Sequence, residues 1–296
     1  MTDIQAVIDG IEEWMGKPCE IQEITSGITN SNYKVTVENK SYVVRIPGAG
    51  TDMFISRDVE LHNVLEASRT GVGAHVFRHF AESYIVIAEF LQGEVMSIDR
   101  FHDSEKIVRA VQAIKKVNTG ASFVSDFIMF DKFKDYLRVV TAHAMKVPDH
   151  LDDAVAIVDR VEKRFQAGMP RLVSCHNDLL AENFIDTGDA MRIIDWEFSG
   201  RNDPCFELGD FSVEQGFGDG EDELIIRTYF GGNEQRMYAR MKIYKSMADF
   251  LWTLYAMIQH HFSKLDFDFW KYGMDRFTRA MNAANTGDFS RWLSAV

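Results

Sequence analysis

The densest cluster of side chains able to do chemistry is His176-Asn177-Asp178-Leu179-Leu180-Ala181-Glu182-Asn183, followed twelve residues after Asn183 by Asp195-Trp196-Glu197. Moving a phosphoryl group onto an alcohol needs a carboxylate near the hydroxyl to take its proton. It also needs oxygen ligands for the magnesium ions that neutralise nucleotide phosphates. Asp178, Asn183 and Asp195 supply that set. Asp178 or Asn183 alone reads equally well as a turn cap; three oxygen-bearing residues at loop positions between short apolar segments are hard to explain by turns. Cys175-His176 beside Asp178 has no second histidine at ligand spacing, which argues against a metal-hydrolase centre. His260 and His261 are helical neighbours that face different directions.

Short apolar segments over residues 171–175, 183–185 and 191–194 bracket this cluster, and Arg192-Ile193-Ile194 leads directly into Asp195. Upstream, alternation over residues 33–37 and 42–46 around Glu38-Asn39-Lys40 predicts an antiparallel hairpin. Residues 84–91, rich in Ile and Val, interrupted by Glu89 and closed by Gly93, predict a buried strand. Between them, residues 57–68 read as a helix with Leu61, Val64, Leu65 and Ser68 on one face and Gly71 as its stop. Beyond Gly93 the period becomes helical, in Ile107, Val108, Val111 and Ile114, then in Ala154, Ile157, Val158, Val161 and Phe165. Two further helical patterns follow over residues 234–262 and 269–284. The layout predicts a small sheet-rich lobe, a larger helical lobe and a boundary between residues 88 and 93.

The 296 residues, 46% of them apolar, suffice for a substantial core. A formal net charge of −13 opposes binding to nucleic acid or anionic membranes and suits a cationic ligand. Cys19, Cys175 and Cys205 are widely spaced and form no CxxC pair, which fits reduced thiols rather than a disulfide framework or a cysteine zinc site. The first residues carry Asp3 and Asp9 rather than a basic region before an apolar run, and no stretch approaches the roughly 20 apolar residues a bilayer requires. A cytoplasmic protein is expected.

His-Asn-Asp-x-x-x-x-Asn at 176–183, followed by Ile-Asp-Trp-Glu at 194–197, resembles the catalytic loop and metal motif of the choline and ethanolamine kinases. That family shares its fold with aminoglycoside phosphotransferases and, more distantly, with protein kinases. The resemblance implies an α+β, two-lobed protein-kinase-like fold, with residues 1–90 as the nucleotide-binding lobe and 91–296 as the helical catalytic lobe. It implies ATP and Mg2+ as cofactors, Asp178 as catalytic base, Asn183 and Asp195 as magnesium ligands, and Asn177 and Glu197 as supporting residues of the loop and metal site. Ser26 to Val35 is similar to the family's nucleotide loop, placing Gly27, Thr29, Asn30 and Asn32 near phosphate. Tyr42 to Gly48 resembles the strand whose basic residue reaches the phosphates, here Arg45, and Glu60 on the next helix is its candidate ion-pair partner. Ile87-Ala88-Glu89-Phe90-Leu91 looks like the hinge that holds adenine, with Glu89 and Leu91 as contacts and Gly93 freeing the chain to cross.

Trp252 and Tyr255 lie three residues apart on one helical face, and Tyr272 follows on the next helix. Stripes of this kind usually belong to a core. The resemblance assigns all three, with Glu214 as an anionic wall and Asp178 beside the hydroxyl, to a pocket for a quaternary ammonium. The expected activity is therefore ATP-dependent phosphorylation of choline to phosphocholine, in the manner of the bacterial choline kinases that the chain resembles in size. Ethanolamine, another small alcohol or an aminoglycoside on the same fold is the alternative. A pseudokinase scaffold would have no need of both base and metal ligands, and a choline-capturing binding module would need neither.

Overall fold

Alternation places Val35, Val37, Val44 and Ile46 on one face of the first hairpin, where they pack with Ile85 and Ile87. The structure, a computed structural model, describes residues 3–24, 30–48 and 56–296. Its first part holds helix α1 (Ile4–Asp9), strands β1 (Cys19–Ile24), β2 (Asn30–Val37) and β3 (Lys40–Pro47), helix α2 (Arg57–Thr70), and strands β4 (Val76–Phe80) and β5 (Ile85–Glu89). The strands form an antiparallel sheet in the order β1-β2-β3-β5-β4. Pairing of Val37 with Lys40 shortens the turn to Glu38-Asn39, with Glu38 at φ 56°, so Lys40 belongs to the strand rather than the turn.

The interior face of α2 differs from the expected one. Arg57, Glu60, Asn63 and Ala67 are its buried residues, while Leu61, Val64, Leu65 and Ser68 are only partly covered. Polar partners explain this: Arg57 and Glu60 pair with each other, and Asn63 donates to the Ser199 carbonyl at 3.1 Å. A buried polar face is stable only where such partners exist. Gly71 ends the helix at φ 73°, a conformation that glycine enters without a Cβ clash.

The larger part begins with β6 (Glu94–Val95) and continues through α3 (Ser104–Gly120), α4 (Met129–Ala142), α5 (Leu151–Gln166), β7 (Val173–Cys175), β8 (Phe184–Asp186), β9 (Met191–Ile193) and β10 (Gly200–Asn202). Helices α6 (Pro204–Glu214), α7 (Asp219–Phe230), α8 (Gln235–Phe262), α9 (Phe269–Ala284) and α10 (Gly287–Ala295) complete it. Strands β6, β8 and β9 form one small ladder and β10 and β7 another. Gly93 serves close approach rather than a special dihedral, because a Cβ there would lie 2.5 Å from the Asp186 carbonyl on β8. Helix α6 is the buried axis of this part, and α8 crosses it at Gly209, where a Cβ would meet the Met241 carbonyl and the Tyr244 Cβ at 3.0 Å. Among the described residues, no helix is long and apolar enough to cross a membrane.

Candidate active site

The loop after β7 is held from below by α6. Buried Glu207 accepts the backbone N–H of His176 and of Asn177, each at 2.8 Å. Asp210, nearly one turn later, accepts the Leu179 N–H at 2.8 Å, and Gln215 Nε2 donates to the Leu179 carbonyl at 2.8 Å. Burial pushes the Glu207 carboxyl up to about 7, against the pull of the His176 and Asn177 N–H groups and of the Asn118 side chain. Asn177 sits at φ 71°; its Nδ2 donates to the Phe198 carbonyl at 3.0 Å and its Oδ1 accepts from Asn202 at 2.9 Å. Asn183 Nδ2 donates to the Asp178 carbonyl at 2.9 Å, closing the loop, so its amide oxygen is the atom it can offer a ligand.

His176 joins this loop to the segment that carries Asp195. Its Nε2 bonds the Ile194 carbonyl at 2.8 Å, and its Nδ1 accepts the Asp178 N–H at 3.3 Å, a pattern that requires the proton on Nε2. Burial pushes its pKa down to about 4, keeping the ring neutral. Asp178 and Asp195 are both half-buried. Burial, then the charges of Asp210, Glu214, Asp195 and Glu197, push the Asp178 carboxyl well above its ordinary value. Burial also raises Asp195, with the Arg45 charge pulling it down and the Glu60 charge adding to the rise, so both lie within electrostatic reach of it.

Arg45 pairs with Glu60 at 2.9 Å, and Glu60 also receives Arg57 at 2.6 Å. Arg57 in turn donates to Asn30 Oδ1 at 3.2 Å, and Asn32 lies opposite Arg45 in the hairpin register. Arg57 is therefore part of this buried polar network, and its signal in the sequence was only the three-residue spacing to Glu60. Gly27 and Thr29 lie outside the described residues. At the hinge, the Glu89 carboxylate accepts the His75 N–H at 2.8 Å and Arg192 at 2.7 Å, and its own N–H is bonded to the His75 carbonyl. Leu91 lies two residues further on, half-buried.

The aromatic side of the cleft is more polar in its connections than a bare ring box. Trp252 is buried, and its Nε1–H donates to Asp210 at 2.8 Å. Its ring meets Phe198 and Tyr255 edge-to-face, with centroids 5.3 and 5.7 Å away. Tyr255 also lies 6.1 Å from Tyr136 on α4, an aromatic that sequence periodicity did not single out. Burial, then the charges of Glu197, Tyr136 and Asp178, raise the Tyr255 phenol; burial, then Asp178, Asp135 and Glu197, raise Tyr136. Glu197, two residues after Asp195, is thus within electrostatic reach of both phenols. Glu214 and Tyr272 are engaged by a residue not anticipated: Arg276 pairs with Glu214 at 2.7 Å and holds its guanidinium 4.4 Å from the Tyr272 ring centroid.

Among the described residues, no three His, Cys, Asp or Glu side chains converge as a metal cage. Magnesium does not require one, since it takes one or two carboxylates and completes its shell with water and phosphate. The Ile194 N–H donates to the Asn183 carbonyl at 2.9 Å, so Asn183 adjoins the segment that carries Asp195, and their side-chain oxygens would fit a sparse set of that kind.

A half-buried carboxylate on an anchored loop, an asparagine bonded to that loop and an Arg–Glu pair in the small sheet lobe suit a phosphotransferase that uses an alcohol as acceptor, and comparison with known proteins gives that class. The family model for choline/ethanolamine kinase matches residues 21–224, and the chain belongs to that family. It is similar to the crystal structure of a choline/ethanolamine kinase family protein from Mesorhizobium loti, at 34% identity and TM-score 0.87, covering 98% of this chain and 97% of that one. Choline kinase LicA from Streptococcus pneumoniae shares the fold at 23% identity and TM-score 0.75, covering 94% and 97% of the two chains. Ethanolamine kinase 2 of Homo sapiens is 23% identical over 300 residues, 90% of this chain and 76% of that protein.

Proposed function

We propose that the chain transfers the terminal phosphoryl group of ATP to the hydroxyl of choline, giving phosphocholine and ADP, with Mg2+ as the metal. Asp178 accepts the hydroxyl proton. Asn183 and Asp195 hold magnesium, and Glu197 stands between that site and the ammonium. Bound magnesium supplies charge neutralisation of the phosphates. Arg45, held by Glu60, offers its planar donors to phosphate oxygens, with Asn30, Asn32, Gly27 and Thr29 as the adjoining loop and the hinge around Glu89 and Leu91 for adenine. Trp252, Tyr255, Tyr136 and Tyr272 line the ammonium side. ATP as donor and three free thiols suit the cytoplasm.

The single observation behind this reading is that Asp210 accepts both the Leu179 N–H, next to Asp178, and the Trp252 indole N–H. Asp210 thereby ties the loop that carries Asp178 to the Trp252 ring, which supports a proton acceptor set beside an aromatic wall, the arrangement a short cationic alcohol needs. A second reading, ethanolamine, draws on Arg276, which occupies Glu214 and one surface of Tyr272. A primary ammonium could instead donate to tyrosine hydroxyls and Glu197, whereas choline has no N–H to donate. A coupled ADP-release assay with choline, ethanolamine and an aminoglycoside, run with and without Mg2+, decides. Choline should give the highest kcat/KM, with no turnover when Mg2+ is chelated; preference for ethanolamine or for the aminoglycoside refutes the choline reading.

A further inference from the structure

Asp210 sits in the middle of α6 with no exposed surface, and none of the chemical tasks above requires its charge. Its Oδ2 accepts the Leu179 N–H and its Oδ1 accepts the Trp252 Nε1–H, both at 2.8 Å. Among the described residues both bonds are accepted and none is donated, the pattern that suits an ionised carboxylate. An asparagine in this place would have to turn its NH2 toward one of the two donors. Glu214, four residues later on the same helix, has its charge matched by Arg276 at 2.7 Å. Asp210 has no ion pair of its own among the described residues. Burial, then the charge of Glu214, push its carboxyl well above its ordinary value; the Leu179 and Trp252 N–H groups and the Arg276 charge pull it back, and it is these accepted bonds that favour the ionised form behind the aromatic wall. An indole N–H bonded to a carboxylate also gains electron density in its ring, which deepens the negative face that attracts a cation.

We propose that Asp210 is a specificity-determining positioning residue: it locks the Trp252 ring and sets a buried negative charge behind it, so that the acceptor pocket selects a cationic alcohol over a neutral one of the same shape. The inference rests on the choline reading above. The test compares kcat/KM for choline with that for 3,3-dimethylbutan-1-ol, its uncharged isostere, in the parent, in Asp210→Asn and in Trp252→Phe, which keeps a ring but removes the N–H. A unit charge within several Å of the ammonium at intermediate dielectric makes the expected fall in the choline-to-isostere ratio about tenfold. The fall should come through the KM for choline, with the KM for ATP unchanged. An Asp210→Asn protein that does not fold leaves the decision to Trp252→Phe. If the parent turns over ethanolamine and not choline, the choline reading fails by itself, and the same ratio is read with ethanolamine against propan-1-ol. An unchanged ratio in either folded variant overturns the proposal, even where both substrates slow together, because a merely structural role would lower both alike.

Discussion

Asn177 and Asp195 hold left-handed backbone, φ 71° and 67°, although neither is glycine. Each such residue costs on the order of 1 kcal/mol, which its surroundings must offset. For Asn177 the offset is visible in its bonds to Phe198 and Asn202. Between the two strained positions, Asp178 carries a carboxyl that burial and four neighbouring carboxylates raise. Replacing it by asparagine removes one negative charge from that crowd and keeps the side-chain size. Asp178→Asn should therefore unfold at the parent's temperature or slightly above, while kcat drops by about 10² to 10⁴, the usual worth of a positioned general base. Thermal melts and steady-state kinetics on one preparation check both halves. A variant with near-parental kcat removes Asp178 from the role of base.

At the scale of elements, His176 staples the loop after β7 to the end of β9, and only its neutral form fits. Protonation would set an Nδ1–H against the Asp178 N–H that it now accepts. Its folded pKa of about 4 lies below the ordinary 6.5, so the neutral ring's contribution is complete above pH 6.5 and is lost as pH falls through about 4. His176→Phe keeps a ring against Trp196, whose centroid is 4.7 Å away, but cannot titrate. The variant should be less stable than the parent at pH 7, and the gap in melting temperature should narrow steadily from pH 6.5 to 4. A constant gap would show that the histidine does not titrate with folding. Such staples leave little trace in a sequence. The first hairpin was legible because its apolar alternation is regular, and α8 because no glycine or proline interrupts residues 234–262, whereas β1 was not, since most of its residues are exposed on an outer strand. The face of α2 was misread because periodicity counts apolar residues, and its buried side is made of Arg57, Glu60 and Asn63. The polar cluster of 176–197 could be read from residue type and spacing. Tyr136 and Arg276 could not, because they reach the cleft from helices whose own patterns are those of ordinary core and surface.

For the whole molecule, the relation between the two parts decides whether Arg45 and Asp195 face each other. We propose that the lobes divide between residues 90 and 91, just before the close approach of Gly93 to β8. Several side chains cross the divide, Asn63 to Ser199 among them, and Arg192 does so with three bonds. Arg192 on β9, three residues before Asp195, donates from Nε to the Val72 carbonyl at 3.1 Å and from Nη2 to the Gly73 carbonyl and the Glu89 carboxylate, each at 2.7 Å. Beside it, the Ile193 N–H donates to the Val72 carbonyl at 3.1 Å. The strand that delivers Asp195 is thus tied to the turn after α2 and to the hinge. Because Glu89 is 40% exposed at its side chain, the ion pair itself adds little to stability. The planar guanidinium matters more as a spacer that fixes three groups at once. Arg192→Ala should cost about 1 to 2 kcal/mol in unfolding free energy. The larger effect should be on the donor side, a rise of roughly tenfold in the KM for ATP, as a shift of an ångström or so in the relation of Arg45 to Asp195 would produce. The KM for the acceptor should change little, because Asp178, Trp252 and Tyr255 all lie on the far side of the divide. Arg192→Lys, which keeps the charge but loses the fork, should behave like the alanine variant in KM for ATP. Parental kinetics in both variants would mean that other contacts set the two parts, and equal rises in both KM values would mean that Arg192 supports the helical lobe instead.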